Sequence, residues 1–166
     1  MIINLTTTTF VTIIINVLIQ FIFASVATLS FSIIFCAPRK EIIFCGITGG
    51  FGWIIYYILN NYVHYSIIVA ALIATAGLAI ISRAFAVIRM HPATIYILPG
   101  IFPLVPGAGI YYTAYYLITK QHALFAQKGL ETFEIASAIV FGIIFGFAIP
   151  QSLFAKIGKV FHHEMN

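Results

Sequence analysis

Apolar residues run along this chain in blocks too long for strands and too continuous for a half-buried surface. No Asp, Glu, Lys or Arg occurs in residues 1–38, 42–82, 90–119 or 135–155. Each gap is at least as long as the roughly 20 apolar residues a membrane-spanning helix needs. A spanning strand needs only about 10 residues of alternating polarity, and these runs do not alternate. The pattern predicts an all-α integral membrane protein of about five transmembrane helices in a single membrane domain, residues 1–166. The expected spans are 10–35, 42–59, 66–88, 94–118 and 132–153, with polar connections at 38–41, 60–62, 89–92 and 120–131. The first run has no basic residue before it and no cleavage-site-like cluster of small residues, so it reads as a retained helix.

The fourth span departs from the others. It carries Pro99, Pro103 and Pro106 with Gly100, Gly107 and Gly109 in its middle. Each proline lacks a backbone N–H and pushes the residue before it out of helix, and the glycines let the chain bend. An unpaired backbone carbonyl in hydrocarbon costs several kcal/mol, roughly, so a broken segment must be wrapped in protein or line a wet cavity. Many transporters build substrate sites from such broken helices. This segment is therefore the main pointer to function, with Pro99, Gly100, Pro103, Pro106, Gly107 and Tyr111 as candidate substrate-path residues.

Composition excludes a soluble domain. The chain is 62% hydrophobic and 7% charged, with mean hydropathy +1.09, against about 25% charged in soluble proteins. The net charge of +4 would suggest nucleic acid in a soluble protein. Here it is better explained by orientation in a bilayer, and no nucleic-acid partner is expected. Five crossings place Arg39, Lys40, Arg83, Arg89, Lys156 and Lys159 on one side, and Lys120 and Lys128 on the other. That bias puts the N-terminus outside and the C-terminus in the cytoplasm. A re-entrant fourth segment would give the same ratio, so charge leaves its parity open. A full crossing is favoured because about 25 residues is long for one leg of a hairpin and short for two. Cys36 and Cys45 read as small buried residues.

Small residues recur at helical spacing: Gly46, Gly49, Gly50 and Gly52 in the second span, Gly142 and Gly146 in the fifth, and Ala70 and Ala74 in the third. They allow close backbone approach, which drives helix association in lipid, within this chain or between copies in a homo-oligomer. Asn16 and Gln20 share a face of the first span and seek interhelical partners or line a polar path. Arg83 lies about 9 Å inside the end of the third span if that helix reaches Arg89. It either snorkels to the interface or binds the carboxylate of a small substrate. His91 precedes Pro92 at the entrance to the broken span, where it packs the connection or handles a proton. Glu131 and Glu134 open the fifth span. Glu131 suits the first-turn dipole, and Glu134, a turn deeper, is a candidate for proton coupling. Trp53, Tyr56, Tyr57, Tyr111, Tyr112, Tyr115 and Tyr116 read as an interfacial belt. No phosphate loop, zinc-type spacing or nucleophile elbow occurs, so no enzyme activity, cofactor or metal is expected.

Several of these motifs resemble a known family in order and spacing. Phe35-x-x-Pro38 comes first, then Cys45-Gly46-x-x-Gly49-x-x-Gly52, Ser82-Arg83 and His91-Pro92. Pro99-Gly100-Ile101-x-Pro103-x-x-Pro106-Gly107 with Tyr111 follows. Together they resemble the small subunit of the threonine/serine exporter family over about residues 35–155. That subunit is similar to the C-terminal half of a longer single-chain exporter of ten predicted spans. The resemblance implies a bacterial cytoplasmic membrane protein that works with a larger membrane subunit to export small amino acids, driven by an ion gradient. Split-subunit relatives are associated with export of succinate-like dicarboxylates. A non-transporting assembly or scaffold subunit is the remaining alternative.

Overall fold

The computed structural model describes residues 2–151 and Phe154, with residues 2–10 as main chain. Lys156 and Lys159, used above for orientation, lie outside the described residues, as do residues 152–153 of the expected fifth span. All regular structure among the described residues is helical. The helices are α1 (Ile2–Ile34), α2 (Ile42–Asn61), α3 (Ile67–Arg89), α4 (Thr94–Ile101), α5 (Gly107–Ile118) and α6 (His122–Ala148). A single 3-10 turn, Phe102–Leu104, extends α4.

Four of these helices are long and apolar enough to cross a membrane. The pair α4 and α5 makes a fifth crossing, bent by 57°. Helix directions settle whether that pair crosses or re-enters. In α6, Gly142 lies against Leu72 and Thr75 of α3, and Gly146, one turn on, lies against Ala76 and Ala79. Contacts that advance together mean that α3 and α6 run parallel. The chain between them must therefore return from the Arg89 end to the Lys120 end, which is a full crossing.

Small residues set the helix spacing. A Cβ on Gly46 would stand 2.8 Å from Leu29 of α1, and one on Gly49 or Gly50 would collide with Thr28 or Ser25 of the same helix. A Cβ on Gly52 would press on Leu78 of α3. Gly142 and Gly146 meet backbone carbonyls of α3, where no side chain can move aside. Backbone approach of this kind replaces the hydrophobic drive that lipid removes. Thr28, Thr48, Thr75 and Ser82 are fully buried, yet each returns its hydroxyl proton to a carbonyl one turn back. Each therefore fills space without an orphaned polar atom. Between side chains of α1 and α2, Trp53 Nε1 donates to Gln20 Oε1 at 2.9 Å.

Three boundaries differ from those the sequence suggests. First, α6 begins at His122, not near residue 132. Lys120 adopts a left-handed conformation, φ 59°, and Gln121 N donates to Tyr116 O. The three residues 119–121 therefore suffice to reverse the chain. The polar stretch 120–131 reads as a connection, but Ala, Leu, Gln, Lys and Glu are all strong helix formers. Glu131 consequently sits inside the helix rather than in its first turn, and the dipole explanation for it fails. Second, Pro99 does not break α4. It lies within the helix, and the Ile95 carbonyl that its missing N–H would have bonded accepts the Cys45 thiol at 3.3 Å instead. Third, Cys36 is exposed, in a left-handed conformation (φ 56°) after α1, while Cys45 is buried.

Candidate substrate cavity

The chain leaves helical geometry at Val105 (ψ 131°) and Pro106 (ψ 61°). The last carbonyls of one half and the first N–H groups of the other have no partner within their own helix. Depth follows from α3. Leu78, near that helix's centre, packs on Gly52 and touches the position of a Cβ on Gly100. The break lies five residues beyond Gly100, displaced about 7 Å toward the Lys120 end.

A cavity of about 380 Å³ opens there. Its wall includes the whole broken stretch from Pro103 to Gly109. Trp53 and Tyr56 of α2, Ile67 of α3, and Lys128, Glu131 and Thr132 of α6 complete it. Lys128 Nζ donates to Glu131 Oε2 at 2.7 Å, and both side chains are about half exposed, at 40% and 45%. An exposed pair one helical turn apart is worth only about 0–1 kcal/mol, so a ligand carrying both signs of charge can displace it at little cost. On the other flank of the break, Val105, Pro106 and Thr132 also border an apolar groove of about 600 Å³ between α5 and α6.

At the opposite end a carboxylate joins three elements. Glu41, the N-cap residue of α2, is only 1% exposed. Arg89 at the end of α3 donates to it through Nη2 at 2.7 Å and through Nε. Tyr96 of α4 donates its hydroxyl to Oε2 at 2.7 Å. His91 Nε2 stands 3.6 Å from Oε1. The Arg89 guanidinium also lies over the Phe44 ring. Arg89, which donates most of these bonds, holds the Glu41 carboxyl below its ordinary value despite burial.

Of the residues singled out in sequence, Pro103, Pro106 and Gly107 line the cavity, while Pro99 and Gly100 are buried just below it. Arg83 and His91 come together at the other end, in a second cavity of about 420 Å³ with Phe147 and Gln151. Arg83 Nη1 lies within hydrogen-bonding distance of the carbonyls of Gly146, Phe147 and Ile149, capping α6, and the guanidinium stacks on Phe154. Tyr111 is 63% exposed, meets Tyr112 edge-on and stacks on Tyr115, away from the cavity. Its neighbour Tyr112 is the one that reaches the wall. Glu134 is exposed on a different face, in a shallow groove between α3 and α6. Sequence reasoning missed Glu41, Tyr96 and Lys128 as site residues. One signal was available: Glu41 is the sole acidic residue before position 131.

A helical membrane bundle with one span broken beside a cavity is an architecture that membrane transporters use. A family model described as the threonine/serine exporter matches residues 20–149, and the chain belongs to that family. A protein of Haemophilus influenzae, named only as uncharacterized, is 26% identical over 151 residues, covering 85% of this chain and 48% of the relative. The chain thus spans about half the length of the curated relative it matches. No solved structure matches it.

Proposed function

We propose that this chain is one membrane subunit of a secondary carrier that exports small amino acids such as threonine and serine, acting with a larger partner subunit. The cavity at the break is its substrate site. The observation that carries this reading is the pairing of Lys128 with Glu131 on the cavity wall, at 2.7 Å. A zwitterion offers a carboxylate to Lys128 and an ammonium to Glu131. The positive end of the α5 dipole favours the same carboxylate. A dicarboxylate such as succinate would bring a second negative charge against Glu131, so the zwitterion is preferred. Arg83 and His91 line the path at the other end, in the second cavity. The N-terminus lies outside the cytoplasmic membrane, and the Lys128 end faces out. A relative of about twice this length supports a partner supplying the remainder of the pathway.

The test is transport by the chain co-produced with its partner in inverted vesicles, with labelled threonine and labelled succinate. Threonine uptake is expected, and Lys128→Met should lower it at least about tenfold, the equivalent of one charge-assisted hydrogen bond. Succinate uptake without threonine uptake, or no uptake of either, overturns the reading.

A further inference from the structure

Resting on that carrier reading, we propose that Glu41 is the positioning residue that latches the carrier at the end opposite its open cavity. The latch joins α2, α3 and the first turn of α4 through one carboxylate. Opening of that end requires Arg89 and Tyr96 to leave Glu41.

Three observations bear on this. First, Glu41 accepts from two separate elements, Arg89 at the end of α3 and Tyr96 of α4, and His91 of the connection between them stands 3.6 Å away. These are also the titratable and charged groups that face it, together with the Cys45 thiol one turn along α2. A carboxylate held in this way is stable only while its donors stay together, because a buried charge stripped of its partners is strongly disfavoured. Its state therefore switches with helix position rather than grading with it.

Second, α4 is held firmly only while this cluster is intact, and a hinge adjoins it. It meets α5 at a 57° bend through the non-helical Val105 and Pro106. Rotation about that bend would carry Tyr96 away from Glu41 while leaving α5 on α6. Non-helical residues between two rigid elements are where hinge motion concentrates.

Third, the same interface holds a native reporter. Cys45 is wholly buried and donates its thiol to the Ile95 carbonyl of α4, one residue before Tyr96. Separation of α4 from α2 breaks this bond and exposes the sulfur. As long as Glu41 holds, the thiol is shielded.

The experiment measures maleimide labelling of Cys45 in the full chain with its partner in membranes, in a Cys36→Ser background that removes the exposed thiol. Labelling is expected to be slow with Glu41 present. Glu41→Gln should raise the rate about tenfold, the effect of losing one charge-assisted hydrogen bond. Tyr96→Phe, which removes one donor and no charge, should raise it by a smaller factor and serves if Glu41→Gln fails to assemble. Threonine should accelerate labelling of the parent protein and leave Glu41→Gln unchanged. Equal labelling rates in the parent, Glu41→Gln and Tyr96→Phe would overturn the latch. Faster labelling in both variants with no response to threonine would leave the latch standing and count against threonine as the substrate.

Discussion

The two halves of the broken span share a chain and little else. α4 is wedged among α1, α2 and α3, with Tyr96, Ile97, Pro99 and Gly100 buried. α5 packs on α6 and buries none of its residues. Its side chains Ile110, Tyr111, Leu117 and Ile118 are all at least half exposed within the chain. The first half is bound by backbone proximity, a thiol bond and a charge cluster, and the second by a single neighbour. Regions with few buried contacts open at lower free energy than those at the core of a bundle. A cavity lying at the junction thus has one firm wall and one yielding wall, which suits a site that must bind and release.

The largest effects should fall on the α4 side. Glu41→Ala leaves Arg89 and the fully buried Tyr96 hydroxyl without their acceptor, and orphaning a buried donor costs about 1–3 kcal/mol. The expected result is a large drop in melting temperature of the purified protein in detergent. Acid should reproduce part of it. The Glu41 carboxyl titrates below its ordinary 4.5 in the folded chain. Its contribution is therefore present above that ordinary value and is lost as pH falls through the lower folded value. The melting difference between the parent and Glu41→Gln should accordingly hold from neutrality down to about pH 5 and shrink below it. A constant difference down to the lowest pH at which the protein stays soluble would mean that the carboxylate is not the group holding α4.

Packing offers a second contrast. A Cβ on Gly100 would stand 3.0 Å from Leu78 and 3.7 Å from the Gly49 backbone. Gly100→Leu should therefore overpack the α2–α4 contact and cost about 1–3 kcal/mol, read again as melting temperature. On the other half, Tyr111→Ala removes a ring that is mostly exposed. It should change the stability of the isolated chain by less than about 0.5 kcal/mol, as surface substitutions do. A large loss for Tyr111→Ala and none for Gly100→Leu would reverse the assignment of firm and yielding halves.

Most of this architecture was legible in sequence because it rests on local signals. Charge-free runs marked the spans, and glycines four apart marked the α1–α2 and α3–α6 contacts. The Pro/Gly string located a break within the bilayer, although the bend falls at Val105 and Pro106 rather than at Pro99. What stayed hidden was long-range. Glu41 meets Arg89 and Tyr96 from 48 and 55 positions away, and nothing in periodicity connects them. Arg83 stood out as a buried cation, but its acceptors are carbonyls at the end of α6, which have no side-chain signature. The start of α6 was obscured because Lys128 and Glu131 resemble a polar loop. They lie instead along a helix that continues past the apolar stretch, and this continuation places Lys128 and Glu131 on the cavity wall.

The smallest structural effect is expected at the junction itself. Gly107 is the first residue of α5, and a Cβ there would meet nothing within 4 Å. Its φ is not in the left-handed region, so no backbone requirement demands glycine. Gly107→Ala should therefore leave melting within about 0.5 kcal/mol of the parent, or raise it slightly by reducing the freedom of the unfolded chain. Yet the added methyl projects from a residue that lines the cavity. If the cavity is where substrate binds, threonine transport should weaken while stability does not. Measuring both on one preparation separates the two roles. Lost transport with unchanged melting places the solute at the break. Unchanged transport would show that the space beside Gly107 is not on its route.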